Sequence, residues 1–272
     1  MRPGWFSTRV REQGVVVTVW AVGVVRDEAD IIESTVTRML RHVDHVLGAD
    51  NRSLDGTGEI LRSFEGVTVL VDPDPDFLVD EQQARRTTAL AALAAQRGAD
   101  WVVPFDADEV WVAPDGRIGD VLEDLPQNVH IARAEMVNHV VTDRDPPGPD
   151  LPARLVYRLP RFHDLPKVAC RTDPGLWIMN GNHRVTYRGA VPPRRVDGLL
   201  RVHHFPFRSA EQFVRKVRFK ADRKNPPRMS DNERTWTRIL EEEGEGALVA
   251  RFDEEHRYAD PAAAGLVLDP SP

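Results

Sequence analysis

Trp101-Val102-Val103-Pro104-Phe105-Asp106-Ala107-Asp108-Glu109 is the stretch on which the reading of this chain turns. An apolar run over Trp101 to Phe105 ends abruptly in Asp106, Asp108 and Glu109. Such a run is expected of a strand covered on both faces. In open parallel sheets, ligands bind outside the carboxyl ends of the strands. Two carboxylates one residue apart at such an end are costly to bury unless something neutralises them. A hard divalent cation does that, and oxygen ligands suit magnesium or manganese. A solvated acidic turn capping a helix is the plainer alternative, and Asp-x-Asp alone does not separate the two.

Working outward, an Ala-rich helix over Glu81 to Arg97, stopped by Gly98, precedes the strand. Asp72-Pro73-Asp74-Pro75-Asp76 is a loop, because each proline removes a donor and biases its predecessor away from helix. Val67 to Val71 and His45 to Ala49 are further strands. Between them lies the polar turn Asp50 to Thr57, leading into a short helix through Leu61 and Phe64. Val15 to Val25 is the first strand. Asp30 is placed to cap the helix that carries Ile31, Ile32, Thr35, Val36, Met39 and Leu40 at helical spacing. This alternation of strand and helix predicts an α/β fold: a mostly parallel sheet flanked by helices.

After residue 115 the pattern loosens. Val129 to Met136, Arg154 to Leu159 and Leu199 to Phe205 read as strands. Asp143 to Pro152, with four prolines and one glycine, reads as a loop or lid. Ser209 opens a helix with Gln212 placed for a capping box, and the last twenty residues read as frayed. The organisation is an N-terminal arm (1–14), a ligand-binding half (15–115), a second half of the same domain (116–225) and a C-terminal extension (226–272).

The chain has 272 residues, one cysteine (Cys170) and a net charge of −7. A lone cysteine excludes an intrachain disulfide and a cysteine-rich zinc site. The acidic balance argues against nucleic acid as a partner. Gly14 to Val25 is too short for a membrane span, and no signal-peptide pattern opens the chain. A cytoplasmic location is therefore the expectation, and a homo-oligomer is compatible with the composition.

Four segments in order carry a family likeness. They are Asp27-Glu28 after the first strand, Ser53-Leu54-Asp55-Gly56-Thr57 after the second, Ala84-Arg85 in the next helix, and Asp106-Ala107-Asp108. Together they resemble glycosyltransferase family 2, over about residues 15–115. The resemblance implies a GT-A fold with a Rossmann-like sheet and a C-terminal acceptor side. It also implies a nucleoside-diphosphate sugar as donor, uridine-linked first, and Mn2+ or Mg2+ as cofactor. Val25 and Asp27 would line the nucleobase pocket, although Asn is usual where Asp27 stands. Asp50 would accept from the base, Arg85 would face base or diphosphate, Asp106 would contact ribose or metal, and Asp108 would ligate the metal.

Beyond residue 115 the likeness rests on His203-His204-Phe205-Pro206-Phe207-Arg208-Ser209. Strand alternation lets one of the two histidines face the site. His204 is the expected third metal ligand, with His183 in Asn180-Gly181-Asn182-His183 as its rival. Trp101, Trp111 and Trp177 are candidate sugar platforms, though buried aromatics are more often core. A catalytic base for an inverting transfer is sought among Glu135, Asp173 and Asp164. The basic block Arg215 to Lys224 reads first as a solvated helix face, and second as a ligand for diphosphate or lipid headgroups.

These readings add up to a metal-dependent glycosyltransferase with an unidentified acceptor. A nucleotidyltransferase or other phosphotransferase is the rival enzyme, though a Gly-rich phosphate loop after the first strand is missing. A non-catalytic nucleotide-sugar-binding protein is the rival from another class.

Overall fold

The computed structural model describes residues 17–73, 80–114, 116–189, 192–222 and 229–271. The expected arm (1–14), the start of the first expected strand, part of the proline-rich loop after Asp72, and Arg223 and Lys224 of the basic block lie outside the described residues.

In the first half, β1 (Val19–Val25), β2 (His45–Asp50), β3 (Val67–Val71) and β4 (Trp101–Pro104) alternate with α1 (Ile32–His42), α2 (Thr57–Arg62) and α3 (Asp80–Gln96). Then come β5 (Glu109–Val112), α4 (Ile118–Glu123), β6 (Val129–Asn138), β7 (Val141–Thr142), α5 (Leu151–Arg154), β8 (Tyr157–Arg158) and β9 (Lys167–Arg171). The chain closes with β10 (Leu176–Ile178), β11 (Val185–Tyr187), β12 (Arg194–His204), α6 (Ala210–Ala221), α7 (Asp231–Glu242), α8 (Glu245–His256), β13 (Arg257–Tyr258) and β14 (Val267–Leu268).

Eight strands form one sheet in the order β3-β2-β1-β4-β9-β6-β12-β5. The run β3-β2-β1-β4 is parallel throughout, as is β6 beside β12. β9 runs antiparallel to β4 and β6, and β5 antiparallel to β12. This is the α/β architecture expected from the strand–helix alternation.

Period-two alternation along β1 feeds both faces of the sheet. Val19, Ala21 and Val25 join one core with Ile32, Val36 and Met39 of α1 and Ile118 and Leu122 of α4. Trp20, Val22 and Val24 join a second core with Leu90, Ala91 and Ala94 of α3. β1 and β4 close tightly at Gly23, where a Cβ would stand 2.7 Å from the Phe105 carbonyl oxygen.

Several expectations are corrected. Asp30 does not cap α1: its side chain bonds Arg208, and the helix starts after Ile31 with no side-chain cap. Arg154 ends a helical turn, and only Tyr157–Arg158 of the expected strand is extended in a ladder. β12 begins at Arg194 rather than Leu199. The last twenty residues are not frayed: α8 ends among them, β13 pairs with β7, and β14 with β8. The C-terminal helices form a core of their own, with Phe213, Val214 and Val217 of α6 packed on Trp236, Leu248 and Phe252. Trp101 and Trp111 are fully buried and so serve as core, not as sugar platforms.

Candidate active site

The carboxyl ends of β1 and β4 open into a cavity of about 260 Å³. Val24 and Val25 end β1 there, and Arg26, Asp27 and Glu28 continue the wall. Asp106, Ala107 and Asp108 supply the floor beyond β4. His204 ends β12, and α6 closes the opposite side with Gln212, Arg215, Lys216, Phe219 and Lys220. The basic face of α6 is therefore not merely solvated.

Sheet register brings His204 to Asp108. In the β5–β12 ladder His204 lies opposite Glu109, and the Phe205 amide donates to the Asp108 carbonyl at 2.9 Å. His204 Nδ1 bonds Asn138 Oδ1 at 2.9 Å. An amide oxygen accepts, so Nδ1 carries the hydrogen and Nε2 keeps its lone pair. That lone pair stands 3.7 Å from Asp108 Oδ2. Burial pushes the His204 imidazole down to about 4, with Asp108 opposing, so it is neutral at pH 7. Burial alone would raise the Asp108 carboxyl, but the Lys216, Arg208 and Lys167 cations together hold it well below the usual range. A buried ionised oxygen and the lone pair of a partly exposed neutral imidazole, 3.7 Å apart, form a donor set that fits Mn2+ or Mg2+. Among the described residues no cluster of three His, Cys, Asp or Glu side chains could hold a metal ion. A cation here would need oxygens from a ligand or water as well.

The adjacent His203 points to the other face, where His139 Nε2 and His203 Nδ1 are 2.9 Å apart in the core. His183 does not line the cavity; its Nδ1 donates to the Pro166 carbonyl at 2.9 Å.

Asp106 is engaged differently from Asp108. Its Oδ2 bonds Lys167 Nζ at 2.8 Å, and its Oδ1 accepts from Asn182 Nδ2 at 3.3 Å. Lys167 also reaches Glu109 Oε1 at 2.6 Å and the Gly181 carbonyl at 2.8 Å. Asp106 and Glu109 raise the Lys167 ammonium above its ordinary range despite burial. Both Asp106 oxygens thus have protein partners, whereas Asp108 Oδ2 faces His204, Lys216 and Arg208.

Arg208 is wholly buried and reaches Glu28 Oε2 at 2.5 Å and Asp30 through two bonds of 2.8 and 2.9 Å. Its Nη1 lies 3.6 Å from Asp108 Oδ2. One guanidinium thus joins the loop after β1 to the floor of the cavity.

The remaining expected residues divide. Asp27, at φ 52°, lines the cavity and accepts from the Leu54 amide at 2.8 Å, joining the loops after β1 and β2. Asp50 sits behind the wall, accepting from the Ser53 amide at 3.1 Å and lying 3.7 Å from Arg62. Arg85 is exposed and pairs with Glu81 at 2.6 Å, while Gln83 of the same helix lines the cavity. Glu135 is exposed on β6, Asp164 is exposed, and exposed Asp173 closes a turn onto the Gly175 amide. None of these three carboxylates lines the cavity. Reading the chain residue by residue missed Lys167, because its partners lie about sixty positions away. Lys216 belongs to the basic block whose second reading was a diphosphate ligand, whereas Phe219, interleaved in that block, also lines the cavity.

No family model matches the chain, and no curated protein matches it. Solved structures show likeness. Mannosyl-3-phosphoglycerate synthase from Rubrobacter xylanophilus is 22% identical over 48% of this chain and 43% of its own, with a TM-score of 0.29. S. aureus TarS is 10% identical over 88% of this chain and 44% of its own, with a TM-score of 0.43. Glucosyl-3-phosphoglycerate synthase from Mycobacterium tuberculosis, in complex with Mn2+, UDP and glucosyl-3-phosphoglycerate, is 18% identical over 47% of this chain and 50% of its own, with a TM-score of 0.30. The chain spans half or less of the length of these proteins. At such scores the likeness carries no chemistry across, and the site is read from its own geometry.

Proposed function

We propose that this protein is a metal-dependent glycosyltransferase that moves a sugar from a nucleoside-diphosphate sugar, uridine-linked first, to an acceptor nucleophile. One observation carries the reading: the Asp108 carboxylate and the His204 lone pair meet at 3.7 Å inside a cavity walled by a basic helix. A cavity with an acidic floor and cationic wall suits a ligand bearing both a bound cation and a diphosphate. Val24 and Val25 offer an apolar end for a base, and Arg26 lies over the Phe219 ring at 4.6 Å, closing that end. Asp106, steadied by Lys167 and Asn182, is the group for a ribose hydroxyl.

Asp108 and His204 would hold Mn2+ or Mg2+, which neutralises charge developing on the leaving diphosphate. The chain's own part is to orient that diphosphate against α6. Inversion is what the family resemblance implies. Glu135 and Asp173, the expected candidates for a base, are exposed and do not line the cavity.

Product analysis tests this function. Incubation with UDP-sugars and Mn2+ is expected to release UDP, slowly even to water, and the release should stop on chelation. Release of pyrophosphate from a nucleoside triphosphate instead would favour nucleotidyl transfer. Binding of UDP without any turnover would favour the non-catalytic reading.

A further inference from the structure

Three groups converge on one oxygen, Asp108 Oδ2: Lys216 Nζ at 3.3 Å, Arg208 Nη1 at 3.6 Å and His204 Nε2 at 3.7 Å. They are not equally fixed. Arg208 is wholly buried and clamped by Glu28 and Asp30. His204 is held by Asn138. Lys216 is a third exposed, and its further bond is to the Pro206 carbonyl at 3.3 Å. A flexible four-carbon stem lets an ammonium change partners where a clamped guanidinium does not.

The other cations of α6 have different partners. Arg215 pairs with Asp30 at 3.3 Å, and Lys220 pairs with Glu233. Those carboxylates are not the ones that face the proposed cation. Lys216 alone among these three is bound to the carboxylate that a divalent cation would take. Like charges sharing one carboxylate oxygen repel strongly in a buried setting.

We infer that Lys216 is a tethered counter-cation that competes with the divalent cation for Asp108 and, once displaced, binds the donor's diphosphate. This rests on the cavity being a nucleotide-sugar site. The ammonium keeps Asp108 neutralised while the cavity is empty, which limits the cost of an unpaired buried charge. On displacement it remains on the wall the diphosphate faces, where a charge-assisted hydrogen bond to a phosphate oxygen replaces the one to Asp108.

The two roles have opposite signs, so one substitution separates them from a structural role. Calorimetric titrations of wild type, Lys216→Met and Lys216→Arg would use Mn2+ alone, then UDP at saturating Mn2+. Lys216→Met is expected to bind Mn2+ alone about fivefold more tightly, because the competitor is gone. It should bind UDP about tenfold more weakly, because a charged contact to phosphate is lost. Lys216→Arg should restore UDP affinity. If Lys216→Met weakens both ligands, leaves both unchanged, or shifts only one, the inference is overturned. Wild type binding neither Mn2+ nor UDP would overturn the donor-site reading itself. Melting curves establish that the variants fold, and Lys216→Gln repeats the test should Lys216→Met fail to do so.

Discussion

At the scale of single residues, the site separates two carboxylates that look alike in sequence. Asp106 and Asp108 are one residue apart, yet Asp106 is bonded to Lys167 and Asn182, and Asp108 faces His204. Asp108→Asn should therefore remove the Mn2+-dependent part of UDP affinity, at least tenfold by calorimetry, while Asp106→Asn should leave that dependence in place. Equal loss in both variants would contradict the separation. Asp108 was legible as a carboxylate after a buried strand; strand alternation placed one of His203 and His204 toward the cavity, and the choice of His204 rested on the Phe205-to-Ser209 segment that follows it. Arg85 was not legible in this way, because a one- or two-residue difference in helical phase turns it to solvent and brings Gln83 to the cavity. Asp50 also serves a structural purpose: a Cβ on Gly58 would stand 2.3 Å from its Oδ2. Gly58→Ala should cost about 1–3 kcal/mol by overpacking, measured by urea unfolding.

Elements show where local sequence sufficed and where it did not. The capping boxes are local, and Ser209 accepts from the Gln212 amide as its spacing predicts, although the Gln212 side chain accepts from the Arg208 amide rather than closing the box. Ser230 and Glu233 form a full box at the start of α7, inside the expected C-terminal extension (226–272). Its stability comes from packing: Trp236 meets Phe213 edge-on at 5.0 Å and bonds Glu255 through its indole nitrogen. Trp236→Ala should destabilise by about 3–5 kcal/mol and, because α6 is one wall of the cavity, should weaken UDP binding as well. β12 and β6 give a second prediction. Burial pushes His139 down to about 3, with His203 adding to it, and pushes His203 down to about 4. Both are pushed below their ordinary value, so the unfolded chain binds more protons between these values and about 6.5. Stability contributed by these neutral imidazoles is present above pH 6.5 and falls as the pH drops. Unfolding free energies from urea titrations at pH 7 and pH 5 should differ by roughly 2 kcal/mol per imidazole, on the order of 4 kcal/mol for the pair, and His203→Gln should flatten the slope.

Over the whole molecule, the first half was legible because each strand is followed by a helix and pairs in parallel with a neighbour in simple order. The second half was not. β9 inserts between β4 and β6, and β12 between β6 and β5, so neighbours in the sheet are far apart in sequence. That same non-sequential order carries His204 and α6 back to the ends of β1 and β4, and with them half of the cavity. No helix among the described residues is long and apolar enough to cross a membrane. Asp108 and His204 are proposed to hold a divalent cation together at the donor site. Crystals grown with Mn2+ and UDP, measured at the manganese absorption edge, test this. An anomalous difference peak is expected between Asp108 Oδ2 and His204 Nε2, next to the diphosphate. A peak elsewhere, or UDP seated in the cavity with its diphosphate remote from both side chains, would contradict it.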